Sequence, residues 1–474
     1  MKILHKHKGS AAVRFGLCLA ACLSWSRVAG AEVELAEKDG WTFTFDGRIN
    51  AFLSGGNGDD LPLPTPDPAG VNTHYVMGGT GDSQAPPGTG RANVGWPGNY
   101  GQQDSMNNYR AIRVRSGMYG NIMGFGVGRK VSDDLSIRGY ISIWSTVESL
   151  NYDKWAPINA EAREGYFNVI GNWGTVTIGR TLAWLGRMSY EIDTAYGHGF
   201  GVGLPCTDGL GPACGHIGTG AIFPGYGANV SYTTPSIGGL RLHAGVFDPV
   251  VFSTSAQDWS HASIVRPEGA LTFDRPIGAT GRIKLGVEGL YQPISRIAMD
   301  ATTMATSRVS TSIWGASGGL RVEVGPLRLG VSGFRGKGLG LFYALQRSSA
   351  TEDKNPTDPQ LRTFTGGYGQ LALVFGKIQL SGGFGMSYVD QTTFDKSDAS
   401  VSVIRYQRGI SGGFYYYATD AIVVGVDFFN FAAGWWGSPL VDTDPNTGAM
   451  TVSGKLAGEK QVLNFLNAGV TYHW

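Results

Sequence analysis

Two kinds of side chain in this sequence could do chemistry, and their spacing separates them. The reactive kind is scarce. Cys206 and Cys214 stand eight residues apart, a separation that suits one local disulfide in an oxidising compartment. His198 and His216 lie near them, but nothing matches a known ligand spacing, so no metal centre is expected. Gly124-Phe125-Gly126-Val127-Gly128 departs from the dinucleotide-binding spacing and sits inside a strand pattern instead of ahead of a helix. His243 falls beside serines on the polar face of a strand, with no nucleophile at a catalytic spacing. No catalytic residue and no cofactor are expected. The charged kind is more orderly: Arg48, Arg113, Arg115 and Arg138 all occupy polar positions of alternating segments.

Those segments are the elements that must position the arginines. Trp41, Phe43, Phe45 and Ile49 alternate with Thr42, Thr44, Asp46, Arg48 and Asn50, the period-two signature of a half-buried strand. Leu135, Ile137, Ile141 and Ile143 oppose Ser136, Arg138 and Ser142, and Ile378, Leu380, Phe384, Met386 and Tyr388 oppose Gln379, Ser381 and Ser387. A soluble β-sandwich would also alternate, with its apolar face as core. A membrane barrel inverts the assignment: apolar residues face lipid and polar ones line water. Three features favour the barrel. Several strands reach ten residues or more, the length a tilted membrane strand needs. Aromatic residues gather near strand ends (Trp144, Tyr152, Trp155, Tyr415 to Tyr417, Trp435, Trp436), as interfacial girdles would. Connections alternate between tight and long.

The tight ones carry turn chemistry at Ser132-Asp133-Asp134, Asn172-Trp173-Gly174, Pro235 to Gly239, Pro276 to Thr280, Gly325-Pro326, Gly376-Lys377 and Thr419-Asp420. The long ones lie near 55–105, 149–160, 182–226, 248–267, 292–308, 337–361, 390–398 and 435–459. Together they separate about 16 strands of an all-β, transmembrane antiparallel β-barrel, with short turns on the periplasmic side and long loops outside. Residues 55–105, rich in Gly and Pro, are an unusually long first external loop in this reading. Residues 32–474 form one domain.

Residues 1–31 stand apart. Lys2, Lys6, Lys8 and Arg14 precede an apolar run from Phe15 to Trp25, and Ala29-Gly30-Ala31 fits signal-peptidase cleavage. Leu19-Ala20-Ala21-Cys22 also fits a lipoprotein box, although it leaves a very short apolar core. Removing 1–31 takes five basic and no acidic residues and moves the formal charge from +1 to −4. A mildly acidic mature chain argues against nucleic acid as a partner and, for a pore, predicts a weak cation preference. Glycine, 73 of 474 residues, disfavours helices, and no later stretch is apolar for eighteen residues.

The run Ala162-Arg163-Glu164-Gly165-Tyr166-Phe167-Asn168-Val169-Ile170-Gly171-Asn172-Trp173-Gly174-Thr175-Val176-Thr177-Ile178-Gly179-Arg180 resembles the strand–turn–strand hairpin of the general diffusion porins of Gram-negative outer membranes. Phe45-Asp46-Gly47-Arg48, Val131-Ser132-Asp133-Asp134-Leu135, Tyr232 to Leu240 and the ending Leu466, Ala468, Val470, Tyr472, Trp474 resemble other parts of the family in the correct order. The family usually ends in Phe, where this chain has Trp474. The family also often carries a basic residue on the strand after the inward loop, and residues 221–234 contain none.

The resemblance implies an outer-membrane channel for passive diffusion of small hydrophilic solutes and ions, with a solute-selective channel as the alternative and an adhesin as a third class. It implies a homotrimer in contact with outer-membrane lipid and lipopolysaccharide, built by the barrel-assembly machinery with Tyr472 and Trp474 as its signal. It makes 182–226 an inward-folded third loop whose acidic Glu191, Asp193 and Asp208 would face basic wall residues Arg48, Arg113, Arg115, Arg138, Arg163 and Arg180. Cys206 and Cys214 would staple that loop.

Overall fold

The structure, a computed structural model, describes residues 32–58, 102–103, 109–118, 120–147, 160–194, 214–250, 252–253, 258–259, 264–278, 280–299, 303–341, 360–397, 404–436, 439–443, 450–455 and 460–474. The barrel strands are β1 (Trp41–Gly58), β2 (Tyr109–Arg115 and Asn121–Ser132), β3 (Leu135–Ser145), β4 (Ala160–Gly171), β5 (Gly174–Leu182), β6 (Tyr226–Thr233), β7 (Leu240–Phe247) and β8 (Arg266–Ile277). They continue as β9 (Gly281–Met299), β10 (Thr306–Val324), β11 (Leu327–Lys337), β12 (Thr363–Phe375), β13 (Ile378–Asp390), β14 (Ile404–Tyr417), β15 (Ile422–Trp435) and β16 (Lys460–His473). Each pairs antiparallel with its neighbour, and β1 closes the ring on β16 from Arg48↔His473 to Gly58↔Leu463, giving 16 strands. Closure leaves the barrel wall without a sheet edge, which is what lets a sheet cross a membrane.

Which face looks out follows from burial. Leu53, Ile112, Val287, Phe384 and Leu466 are exposed, while Asn50, Gln370, Gln379, Gln407, Asn467 and Thr471 are buried. Apolar side chains outside and polar ones inside is the inverse of a soluble protein and the pattern of a barrel in lipid. Trp144 belongs to the inner set, since it shares the parity of Ser142 and donates from Nε1 to Ser142 Oγ at 3.1 Å. Tyr415 is likewise fully buried, whereas Tyr416 is exposed. The girdle expected at Trp144 and Tyr415 is therefore corrected by parity. Tyr152 and Trp155 lie outside the described residues.

All seven tight connections fall where turn chemistry placed them. One long connection does not: residues expected as a loop at 292–308 are mostly strand, because β9 and β10 stay paired from Gly281↔Val324 to Met299↔Thr306. Each has 19 residues, about twice what the membrane requires, so the hairpin continues past the lipid. β2 is interrupted at 116–120, and Asn50 fills the gap. Its backbone N–H donates to Asn121 Oδ1 (2.8 Å), its Nδ2 donates to Gly120 O (2.6 Å), and its Oδ1 accepts from Gly117 N (2.6 Å). An interior strand break would otherwise orphan these backbone groups.

The chain end lies against β1. Trp474 and Gly47 exchange backbone hydrogen bonds of 3.1 and 3.2 Å. The Trp474 ring packs 5.6 Å from Phe45 and 5.5 Å from Tyr472. Beside it the strand Val33–Lys38 pairs with Trp41 to Phe45.

Candidate functional site

Between β5 and β6 the chain leaves the wall and is held by side chains from strands well around the ring. Glu268 of β8 accepts from the backbone N–H groups of Trp184 (2.7 Å) and Leu185 (3.3 Å). Glu288 of β9 accepts from Gly186 N (2.8 Å) and Met188 N (2.6 Å), and from Ser317 Oγ of β10 (2.6 Å). Two wall carboxylates thus satisfy the unpaired donors that begin α1 (Arg187–Glu191), a role usually taken by an N-cap side chain. Gly186 precedes it at φ 85°, a left-handed turn suited to glycine.

Farther along, Gln370 of β12 accepts from Thr194 N (2.6 Å) and Thr194 Oγ1 (2.7 Å), and Gln379 of β13 donates to Thr194 O (2.7 Å). The Tyr368 hydroxyl donates to Ser189 O. On the returning limb Gly220 N donates to Ser387 Oγ of β13 at 2.9 Å. All these wall residues belong to the inward face. Glycines make the approach possible: a Cβ at Gly330 would stand 2.7 Å from Ile192 O, and one at Gly385 would collide with Thr219 O.

Asp193 and Ser411 both meet His216, at 3.3 Å on Nδ1 and 3.2 Å on Nε2. The order is that of an acid–base–nucleophile set. The imidazole is 1 % exposed and Tyr368 stacks on it at 4.7 Å, and the three groups join the two limbs to β14. Cys214 is disulfide-bonded and buried; Cys206 and Asp208 lie outside the described residues.

The arginines selected by parity fall on β1 to β4, across the ring from the segment's anchors on β8 to β14. Arg48, Arg113, Arg115 and Arg138 share the inward parity. Arg115 is buried, donates to Asn467 Oδ1 (3.3 Å) and lies 6.0 Å from the Phe465 ring. Arg138 pairs with Glu32. Arg163 sits at a register shift between β3 and β4, which turns it inward next to Glu164; its guanidinium lies 4.4 Å over Trp144 and 6.0 Å from Tyr226. Arg180 is different. It is exposed and shares the outward parity of Val176 and Ile178, opposite to Thr177 and Thr181. Proximity to the hairpin motif, not parity, had placed it with the others.

The acidic residues are engaged. Glu191 lies between Lys284 Nζ of β9 (2.5 Å) and Arg187 Nε (3.0 Å). Burial opposes its ionisation, but Lys284 and Arg187 outweigh it and hold the carboxyl down at about 2. On the facing wall, Glu164 accepts from Ser142 Oγ (3.0 Å) and Asp46 from Tyr140 (2.9 Å). Glu268, Glu288, Gln370 and Arg187 were not picked out as site residues by sequence reasoning. Nothing local marks which polar residue of a strand meets a distant segment. No cluster of three or more His, Cys, Asp or Glu that could hold a metal occurs among the described residues.

A closed antiparallel barrel with an apolar exterior and a charged, hydrogen-bonding interior defines a membrane channel. Residues 18–421 match the Gram-negative porin family, and the chain belongs to that family: it is an outer-membrane channel for passive diffusion. Its fold is similar to the outer membrane channel DcaP of Acinetobacter baumannii at TM-score 0.58 and 12% identity, covering 93% of this chain and 100% of that one. The anion-selective porin from Comamonas acidovorans is similar at TM-score 0.49 and 12% identity, over 92% and 100% of the two chains. OmpT of Vibrio cholerae gives 0.47 and 12%, over 93% and 100%. No curated protein sequence matches the chain.

Proposed function

We propose that residues 183–225 form the constriction of a general diffusion pore, with the open path running between this segment and the β1 to β4 wall. The observation that carries this reading is the one-sided anchoring of the segment by Glu268, Glu288, Gln370 and Ser387. Arg48, Arg113, Arg115, Arg138 and Arg163 of the wall face the segment's Glu191, whereas Asp193 is buried against His216, so charges of fixed position order water across the path. A small polar solute replaces that order with its own hydrogen bonds, and an apolar one does not. The mature protein starts after residue 31, reaches the outer membrane through the barrel-assembly machinery, contacts lipopolysaccharide and assembles as a homotrimer; residues 55–105 form its first external loop.

Planar-bilayer recording tests the reading. Folded, heat-modifiable protein is expected to give large ohmic currents in steps of three. Absence of current from such protein sinks it. A solute-selective channel is the second reading, favoured by the stacking of Arg163 on Trp144.

A further inference from the structure

The two ends of the connection between β11 and β12 turn into the barrel and meet over the start of the constriction segment. Leu339, Leu341 and Leu361 are buried there, in one apolar cluster with Leu185, Ile313, Phe334 and Phe364. Glycines make the seat. A Cβ at Gly336 would stand 2.5 Å from Leu339 Cδ1, and one at Gly315 would stand 2.8 Å from Leu339 Cδ2 and 2.9 Å from Leu185 Cδ2. Gly315 of β10 and Gly336 of β11 are register partners, so they leave a single hollow in the wall that Leu339 and Leu185 share. Leu185 directly precedes Gly186, where α1 begins. Polar contacts fix the connection itself. Gly338, at φ 79°, donates from its N–H to Arg362 O at 2.9 Å and closes the base. Arg362 donates to both oxygens of Asp395, from Nε at 2.8 Å and from Nη2 at 2.6 Å, and both side chains are buried. Asp395 lies in a short helix, α2 (Thr393–Ser397), where its Oδ2 accepts from Thr392 N at 2.9 Å and its N–H donates to Thr392 Oγ1 at 3.1 Å. A buried bidentate pair of this kind holds one geometry, which an exposed pair does not.

We propose that this connection is a buttress for the constriction: Leu339 positions Leu185, and through it α1 with Arg187 and Glu191, while the Arg362–Asp395 pair keeps Leu339 in place. The proposal rests on the constriction reading above. Glu268 and Glu288 tie the N–H groups of the segment to β8 and β9, but they leave the side of Leu185 toward β10 and β11 uncovered. A side chain with empty space on one flank forfeits its dispersion contacts there, and Leu339 supplies them. Being fully buried, Leu339 touches no solute, so its effect is positional. The aperture then depends on two connections, one that enters the path and one that holds the first in its seat.

Single-channel recording of the folded, full-length protein tests this. Leu339→Ala empties the shared hollow, so the segment should leave its seat more often. Closures at a fixed low voltage should become about tenfold more frequent than in the parent, the population shift expected from losing part of one buried leucine's packing. Leu339→Met restores the volume and should restore the parent record. Asp395→Asn keeps the shape of the pair without its charge and should raise closures as Leu339→Ala does. It also serves where the alanine variant fails to fold. Val423→Ala removes buried apolar volume at the periplasmic end of β15 and should leave the record unchanged, which separates positioning from a general loss of packing. Closures unchanged in either folded variant, Leu339→Ala or Asp395→Asn, overturn the proposal, as does an equal rise in Val423→Ala. Gly330→Val, which displaces the segment directly, keeps the two failures distinguishable. If it alters conductance while Leu339→Ala and Asp395→Asn behave as the parent, the buttress fails and the constriction stands. If it too behaves as the parent, the constriction reading itself fails.

Discussion

A carboxylate held between two cations gives up its charge late, and Glu191 should report this directly. Its carboxyl is held down at about 2 by Lys284 and Arg187 against the cost of burial, compared with an ordinary value of 4.5. Because the folded value is depressed, the pair's contribution is fully present above about 4.5 and is lost as pH falls through about 2. Glu191→Gln should destabilise the folded protein by about 1–3 kcal/mol, the cost of leaving two partly buried cations short of a partner. The gap between variant and parent, measured by urea unfolding of protein in detergent, should stay level from pH 7 to about 4.5 and close only below that. A gap that closed near pH 5 would show that Lys284 and Arg187 do not control the carboxyl. Residues like this one mark the limit of sequence reading. Parity set Arg48, Arg113, Arg115 and Arg138 on the polar face, because a strand offers only two faces. It could not reveal that Lys284 would reach across to a loop residue, nor that a register shift would turn Arg163 inward. Contacts between a segment and a distant wall depend on the path of the backbone, which local spacing does not encode.

Elements were more legible than contacts. Turn residues are chosen by backbone conformation, so Gly325 at φ 56° and Gly376 at φ 57° marked their turns unambiguously. The β9–β10 hairpin misled, because polar residues such as Ser307 and Ser310 suit an exposed strand as well as a loop. The break in β2 was invisible for a related reason: Asn50 reads as one more polar-face residue until Gly117, Gly120 and Asn121 are seen around it. Asn50→Ala removes the two side-chain hydrogen bonds and leaves Gly117 N and Gly120 O without them, while the backbone bond to Asn121 remains. It should cost about 2–4 kcal/mol in urea unfolding, with conductance unchanged in the molecules that fold. The segment on the opposite wall makes a contrasting prediction. Gly330→Val puts side-chain atoms where Ile192 O now lies, 2.7 Å from the position of a Cβ. The barrel should form with its strand content intact by circular dichroism, while the displaced segment changes single-channel conductance by a factor of about two, in keeping with the area dependence of an aqueous path. Unchanged conductance would mean that this seat does not set the aperture.

At the scale of the whole molecule, the C-terminal residue can serve two purposes, and they can be separated. Trp474 closes the ring: it exchanges backbone hydrogen bonds with Gly47 and packs its ring on Phe45 and Tyr472. Each such aromatic pair is worth about 0.5–1.5 kcal/mol beyond burial. That packing acts wherever the barrel folds. Recognition by the assembly machinery, the role proposed for Tyr472 and Trp474, acts only in the cell. Trp474→Phe keeps an aromatic ring at the end of β16 and should satisfy both needs, with stability reduced by no more than about 1 kcal/mol. Trp474→Ser removes the ring while leaving the backbone free to pair with Gly47. Refolded into lipid vesicles, it should close a heat-modifiable barrel of lower stability, since β1 and β16 remain paired from Arg48↔His473 onward. In cells its outer-membrane level should fall several-fold further than that loss of stability explains, when stability is read from the same variant in vesicles. If the two losses match, the ring is packing alone, and the signal resides elsewhere in β16.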